Sequence, residues 1–302
     1  MEDKVNFQEL SEPVRRLYPW PGASLALAGG HRMHYLDEGS GEPLLMLHGN
    51  PTWSFYYREL VRALAGERRC VVPDHLGCGL SDQPEDWTYR LEGHIRNTQQ
   101  LIEHLDLKDI TLVAHDWGGA IGFGAAMKYP ERIKRLVLFN TAVFQGKVPL
   151  RISSCRWPLW GALVVRGLNG FLETALRVGV HKRLSRDVVA GYLAPHRSWR
   201  SRRSIHRFVQ DIPMEPDHPT RSLIDELDRG TSLFRHLPAL IVWGEGDFVF
   251  TREILQGWRT RLAQAEVHSL PHAAHFVVED AGEEIVPLVR SFLDRHPLPR
   301  PS

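Results

Sequence analysis

The sequence predicts an α/β fold: a mostly parallel central sheet flanked by helices, with a helical segment inserted between two of the strands. Three observations lead there. Short continuous apolar runs such as PLLML, ITLVAHD and ALIVWG end at glycine or aspartate, as strands buried on both faces do. Helical stretches lie between these runs, which is the alternation of a parallel sheet. From about Gln145 to Arg235 the strand signal lapses into a mostly helical pattern, and then it returns.

The elements follow in order. After a polar N-terminal arm, HRMHYLDEG (His31 to Gly39) alternates like a strand and stops at a turn. PLLMLHG (Pro43 to Gly49) is a short buried strand broken by glycine. A helical stretch near Tyr57–Leu64 follows, and CVVPDHLGCGLSD runs from a second buried strand into a glycine-rich loop. His94–Leu105 places Ile95, Leu101, Ile102 and Leu105 on one side of a helix. Ile110 to Asp116 is a strand, GGAIGFGAAMKYP a helix of small residues stopped by Pro130, and Ile133–Asn140 the next strand. Strand patterns return at Pro238 to Asp247 and Ala265 to Phe276, and Glu283–Leu293 is a closing helix. Ligands bind at the carboxyl edge of open α/β sheets, so a helical insertion there is expected to act as a cap. The expected organisation is therefore a core of residues 1–144 and 236–302 and a helical cap of residues 145–235.

Composition narrows the function classes. The 302 residues carry a formal net charge of +1, which points to no charged partner. Three widely separated cysteines, Cys70, Cys78 and Cys155, argue against a disulfide framework and for a reducing, cytoplasmic setting. The first twenty residues lack the apolar stretch of a signal peptide, and no run reaches the roughly 18 apolar residues of a membrane span. There is no phosphate-cradling glycine loop and no nucleic-acid motif. No metal or cofactor is expected, because His31/His34 and His272/His275 have no carboxylate or thiolate at ligand spacing. Charge is uneven, however: residues 145–235 hold 16 Lys+Arg against 8 Asp+Glu. Such a surface is either a solvated basic face or a patch for an acidic partner protein, an anionic substrate or a membrane surface. Within it WPLWGALVVRGLNGFL (Trp157 to Leu172) is expected to line a pocket and fill the cap core rather than to anchor the chain at a membrane. Leu163, Val164, Leu168, Phe171, Leu172 and Leu176 line a hydrocarbon channel or form helix core.

The chemistry centres on VAHDWGGA (Val113 to Ala120). A buried strand meets a Gly- and Ala-rich helix there, the setting of a sharp turn that displays a nucleophile. The apex is Asp116, and Ala114 stands two positions earlier where glycine is usual. Alone, the motif is equally a helix N-cap, where aspartate is favoured. Further on, WGEGD places Asp247 beyond one strand end, and PHAAHF places His275 beyond the next. Nucleophile, acid, histidine is the chain order expected of such a catalytic set, with Asp247 orienting the imidazole and stabilising its protonated form. LHGNPTW (Leu47 to Trp53) follows the first buried strand and brings Asn50, while Trp117 follows the apex directly. Both side chains donate hydrogen bonds, so beside a nucleophilic carboxylate they suit a departing anion. A carboxylate displaces a leaving group from sp3 carbon and forms an alkyl ester; a water activated by His275 then restores it. Halide, epoxide oxygen and carboxylate are all candidate leaving groups.

The set HGNPTW, HDWGG, WGEGD and HAAHF resembles the haloalkane dehalogenase family of α/β-hydrolases, from about Tyr35 to Leu293. The resemblance implies Asp116 as nucleophile, His275 as base, Asp247 as acid, and Asn50 and Trp117 as donors to the leaving anion. MHYLDEG, LHGNPTWSFYYREL, VPDHLGCGLSD, FVQDIP and DFVF are similar to one branch, the β-lactone decarboxylases of bacterial long-chain olefin biosynthesis. That branch implies conversion of a cis-3,4-dialkyl β-lactone to a cis-alkene and carbon dioxide, with a hydrophobic small molecule as substrate. It also implies other olefin-pathway enzymes as partners, docked through the basic cap. Haloalkane hydrolysis is the alternative. Epoxide hydrolysis is disfavoured, because family members use two cap tyrosines and residues 145–235 hold only Tyr192.

Overall fold

Eight strands form a single sheet in the computed structural model, which describes residues 5–298. They are β1 (Ala23–Ala26), β2 (Arg32–Glu38), β3 (Pro43–Leu47), β4 (Arg69–Pro73), β5 (Ile110–Asp116), β6 (Ile133–Thr141), β7 (Ala239–Gly244) and β8 (Glu266–Leu270). Their spatial order is β1-β2-β4-β3-β5-β6-β7-β8. The pairs β1–β2 and β2–β4 are antiparallel and all the others parallel. Every residue of β3, β5 and β7 is buried, which is why they read as unbroken apolar runs: helices cover both faces. The register Leu47↔Ala114 aligns the carboxyl ends of β3 and β5, so the loops that carry Asn50 and Asp116 emerge side by side.

The sequence pattern missed β1. Only Leu25 of its four residues is buried, so this edge strand has no apolar run to show. The polar arm also holds a short helix, Glu12–Leu17, anchored by Val14. At the other end the closing helix spans Val277–Arg295, beginning earlier than the periodicity suggested. A kink at Ala281 and Pro287 within it interrupt the pattern.

The helix Trp117–Ala126 explains its own composition. A Cβ on Gly118 would stand 2.0 Å from the Leu47 carbonyl oxygen, and one on Gly119 2.0 Å from Thr141 Oγ1. Side chains there would push the helix off the sheet and take the turn with it.

Between β6 and β7 the described chain is helical or irregular, including helices Gly170–Val178, Arg186–Leu193, Arg203–Gln210 and Arg221–Gly230 and a π-helical stretch Ala162–Gly167. Its inner side chains, among them Val165, Leu172, Leu176, Tyr192, Ile205 and Phe208, join the main core. Contrary to the sequence pattern, Trp157–Leu172 is only partly core. Val165 and Leu172 are buried, but Trp157, Leu159, Trp160, Leu163 and Leu168 face outward, with exposures of 52–88%. A helical segment has two sides, and here the outward one is also apolar.

Candidate active site

Asp116 sits at the junction of β5 and the helix Trp117–Ala126 with φ 52° and ψ −127°. That backbone conformation is open mainly to glycine and costs on the order of 1–3 kcal/mol for other residues. The turn lifts the carboxylate clear of the strand. Asn50 N–H donates to its Oδ1 at 2.6 Å, and the Trp117 N–H bonds the carboxylate as well. Gly49 is obligatory beneath it, since a Cβ there would come within 2.1 Å of Asp116 Oδ1.

The loops after β7 and β8 bring the other two groups. His275 Nδ1 donates to Asp247 Oδ2 at 2.9 Å, which turns Nε2 toward Asp116, 3.9 Å from Oδ2. Asp247 is fixed in turn: its Oδ1 accepts from Val249 N–H at 2.7 Å and Phe250 N–H at 3.1 Å. All three side chains are buried. Burial pushes the Asp116 carboxyl above its ordinary range, against the pull of His275 and the Trp117 and Asn50 N–H groups. Burial also opposes a charge on His275, but the Asp247 and Asp116 carboxylates outweigh it and hold the imidazole above its usual pKa.

These groups open onto a cavity of about 530 Å³. Its walls are mainly apolar, with Phe144, Val148, Ile152, Phe171, Ile212 and Phe250 among them, and Asn50, Asp116, Trp117 and His275 lie together on its lining. The Trp117 indole N–H has no hydrogen-bond partner among the described residues. Asn50 Nδ2 rests on the Ile205 carbonyl at 3.3 Å, and Asn50 Oδ1 is buried without a partner. Two donors of low commitment thus stand near the carboxylate. The assembly can displace a leaving group from carbon, since a carboxylate, an imidazole and two side-chain N–H groups share one mainly apolar pocket.

A family profile described as the alpha/beta hydrolase fold matches residues 42–282. A protein of Shewanella oneidensis named cis-3-alkyl-4-alkyloxetan-2-one decarboxylase is 44% identical over 272 residues, covering 87% of this chain and 86% of that one. A protein of the same name from Xanthomonas campestris is 40% identical over 295 residues, covering 93% and 98%. Haloalkane dehalogenase 2 of Mycobacterium bovis is 33% identical over 280 residues, covering 90% and 95%. The chain belongs to the haloalkane dehalogenase-like family of α/β-hydrolases. Among solved structures, haloalkane dehalogenase DatA from Agrobacterium tumefaciens C58 matches this chain with a TM-score of 0.81 at 26% identity, over 91% of this chain and 97% of that one.

The structure brings together all five residues singled out in the sequence and adds several that pattern did not reveal. Asn140, at the end of β6, donates through Nδ2 to Asp247 Oδ2 at 3.0 Å and to the Gly244 carbonyl at 3.1 Å, and its Oδ1 accepts from Gly244 N–H. An asparagine closing a strand looks like a turn residue, so nothing in the sequence marks it. The Phe250 ring stacks on His275 at 13° between planes. His115 donates from Nε2 to the His275 carbonyl at 2.8 Å; burial keeps it well below the usual histidine pKa, so it stays neutral. Asp280 accepts from the N–H groups of Ala274, His181 and Lys182, and Phe276 N–H donates to the Gly179 carbonyl. The loop of His275 is thereby tied to the turn between two helices of the insertion.

Other sequence expectations change. Of the six residues proposed for a channel, Phe171 lines the cavity, Leu172 and Leu176 are core, Val164 is half-buried against that core, and Leu163 and Leu168 are exposed. The cavity draws instead on loops beyond strand ends, at Phe144 and Phe250. Tyr192 is buried, donates to Glu279 beside Arg58, and does not line the cavity, so it cannot protonate a ligand there. Two histidines weighed as metal ligands do have carboxylate neighbours in space, His34 with Asp74 at 2.8 Å and His272 with Glu284 at 2.6 Å. Neither pair gains a third ligand among the described residues.

Proposed function

We propose that this hydrolase-fold enzyme decarboxylates a cis-3,4-dialkyl β-lactone to a cis-alkene and carbon dioxide. The observation that carries the reading is a carboxylate, in place of a hydroxyl, at the apex of the turn, at the foot of an apolar cavity. The relatives named for that reaction at 44% and 40% identity favour lactone over halide. Residues 145–235 would serve as the cap over a core of residues 1–144 and 236–302. The buried, free thiols of Cys70, Cys78 and Cys155 support a reducing, cytoplasmic setting.

Asp116 attacks the ring carbon bonded to the lactone oxygen, forming an ester bond as that carbon–oxygen bond breaks. The ring opens with inversion, and the freed carboxylate is held by the Asn50 and Trp117 side-chain N–H groups. The carbon–carboxylate bond then breaks; its electron pair forms the alkene, and Asp116 departs as a carboxylate. Inversion followed by anti elimination amounts to net syn loss, so a cis ring gives a cis-alkene. His275 acquires a duty in the second step. Protonated and paired with Asp247, it lies near enough to Asp116 to stabilise the charge returning to that carboxylate.

A second reading has its own support. The Asn50 and Trp117 backbone N–H groups already bond Asp116, and would stabilise an oxyanion if water attacked an Asp116 alkyl ester. That is the equipment of a haloalkane dehalogenase. The test is paired incubation with a long-chain cis-β-lactone and with 1-bromobutane, measuring alkene, carbon dioxide and bromide. Alkene with equimolar carbon dioxide supports the proposal. Rapid bromide release with no alkene from the lactone refutes it.

A further inference from the structure

The insertion between β6 and β7 turns apolar side chains toward water on one side. Trp157, Leu159 and Trp160 are 63%, 88% and 52% exposed, and Leu163 and Leu168 continue the same ridge. A solvated helix puts charge on its outer face, as Gly170–Val178 does with Glu173 and Arg177. The ridge does the opposite: its inward positions are Gly161 and Val165.

Basic groups frame it. Residues 150–172 contain Arg151, Arg156 and Arg166, and residues 194–210 contain Arg197, Arg200, Arg202, Arg203 and Arg207; neither stretch holds an Asp or Glu. The two stretches meet in space. The Arg166 guanidinium lies 4.3 Å from the centre of the Trp199 ring, and Arg202 donates to the Arg166 carbonyl at 2.6 Å. Leu163 and Trp199 both border Gly167. Arg156 pairs with Glu215, and Arg200 and Arg203 with Glu85, whereas Arg151, Arg166, Arg197 and Arg207 make no ion pair with a carboxylate among the described residues.

We infer that this ridge docks the enzyme on an anionic lipid surface, with Trp157, Leu159 and Trp160 in the interface and the arginines against headgroups. Tryptophan and leucine ringed by arginine is the composition of a segment lying in a membrane interface, where indole rings prefer the headgroup level. Charge complementarity selects an anionic surface. The ridge also adjoins the cavity: Ile152, in the same short helix as exposed Leu150 and Arg151, lines the pocket, as does Met214, which is 41% exposed. An apolar ligand could pass from lipid to pocket with little contact with water. The inference does not rest on the reaction, since vesicle binding is read without turnover.

The experiment is sedimentation of the full chain with vesicles of phosphatidylcholine alone or with added phosphatidylglycerol. The protein is expected to pellet with the anionic vesicles and to be released by salt. A triple variant, Trp157→Ser, Leu159→Ser and Trp160→Ser, should weaken partitioning on the order of a hundredfold. Its melting temperature and its turnover of a water-soluble substrate should match wild type, because these side chains are exposed and outside the cavity. Absence of vesicle binding overturns the inference, as does equal binding to neutral vesicles or binding that the triple variant retains. A dimer in light scattering, or a co-purifying enzyme lost in the triple variant, with no vesicle binding, assigns the ridge to protein and overturns it too.

Discussion

The charge on Asp116 separates the two roles that its motif left open. As a helix cap, Asp116 favours the helix N-terminus by charge, so Asp116→Asn costs about 0.3–1 kcal/mol. For a chain of this size that lowers the melting temperature by up to about 2 °C. As a desolvated nucleophile it has the opposite effect. Its carboxyl is held above the ordinary range by burial, even with Asn50 N–H 2.6 Å from Oδ1. A carboxyl whose folded pKa exceeds its unfolded pKa binds its proton more tightly in the folded state. Its ionisation therefore weakens the fold at pH values above the unfolded pKa. Asparagine mimics the uncharged acid, keeps an oxygen for the Asn50 N–H, and takes the same strained backbone at φ 52°, so strain cancels in the comparison. Asp116→Asn is thus expected to melt higher than wild type at neutral pH. The gain should shrink as the pH falls through the folded-state pKa and vanish near about pH 4, where both proteins carry an uncharged group. Turnover should fall by at least about 10⁴-fold, as it does on loss of a covalent nucleophile. Thermal melts across that pH range, paired with the lactone and bromoalkane assays, decide the matter. A lower melting temperature at neutral pH, or surviving turnover, refutes the reasoning.

Asn50→Ala and Trp117→Phe should each slow turnover by about 10²–10³-fold with little change in melting temperature, measured as kcat on the preferred substrate. His275 is held above its usual pKa, which gives the two candidate reactions opposite slopes. Bromoalkane hydrolysis, which needs the neutral imidazole, should climb as the pH rises through that pKa, while alkene formation, which uses the cation, should decline. Asn140→Ala removes two donors and an acceptor around Asp247 and Gly244. It should cost about 2–4 kcal/mol in denaturant melts and slow turnover, with Asn140→Asp failing to rescue because it faces a second carboxylate. Gly49→Ala forces a methyl group to within 2.1 Å of Asp116 Oδ1, so kcat should collapse even in protein that still folds by circular dichroism.

The parts of the site that lie on strand ends were legible in the sequence. Asp116 ends β5, and Asp247 and His275 follow β7 and β8, whose apolar runs announce themselves; Asn50 follows β3 in the same way. What escaped had no pattern to carry it. Asn140 acts across 107 residues of chain on Asp247, a pairing set by the neighbouring positions of β6 and β7. Phe144 and Phe250 reach the cavity from irregular loops, which have no period. The ridge at Trp157 to Leu168 misled for a physical reason: hydrophobicity marks what would rather leave water, and burial inside the chain is only one way of doing so.

Asp280 is a strap between the loop of His275 and the insertion. One carboxylate grips two stretches of backbone, Ala274 beside His275 and His181 and Lys182 in the insertion. The backbone that carries the histidine is therefore anchored to the insertion. The insertion thus helps to fix the loop of the imidazole, and a chimaera that grafts a foreign insertion will need a matching strap to hold that loop in place.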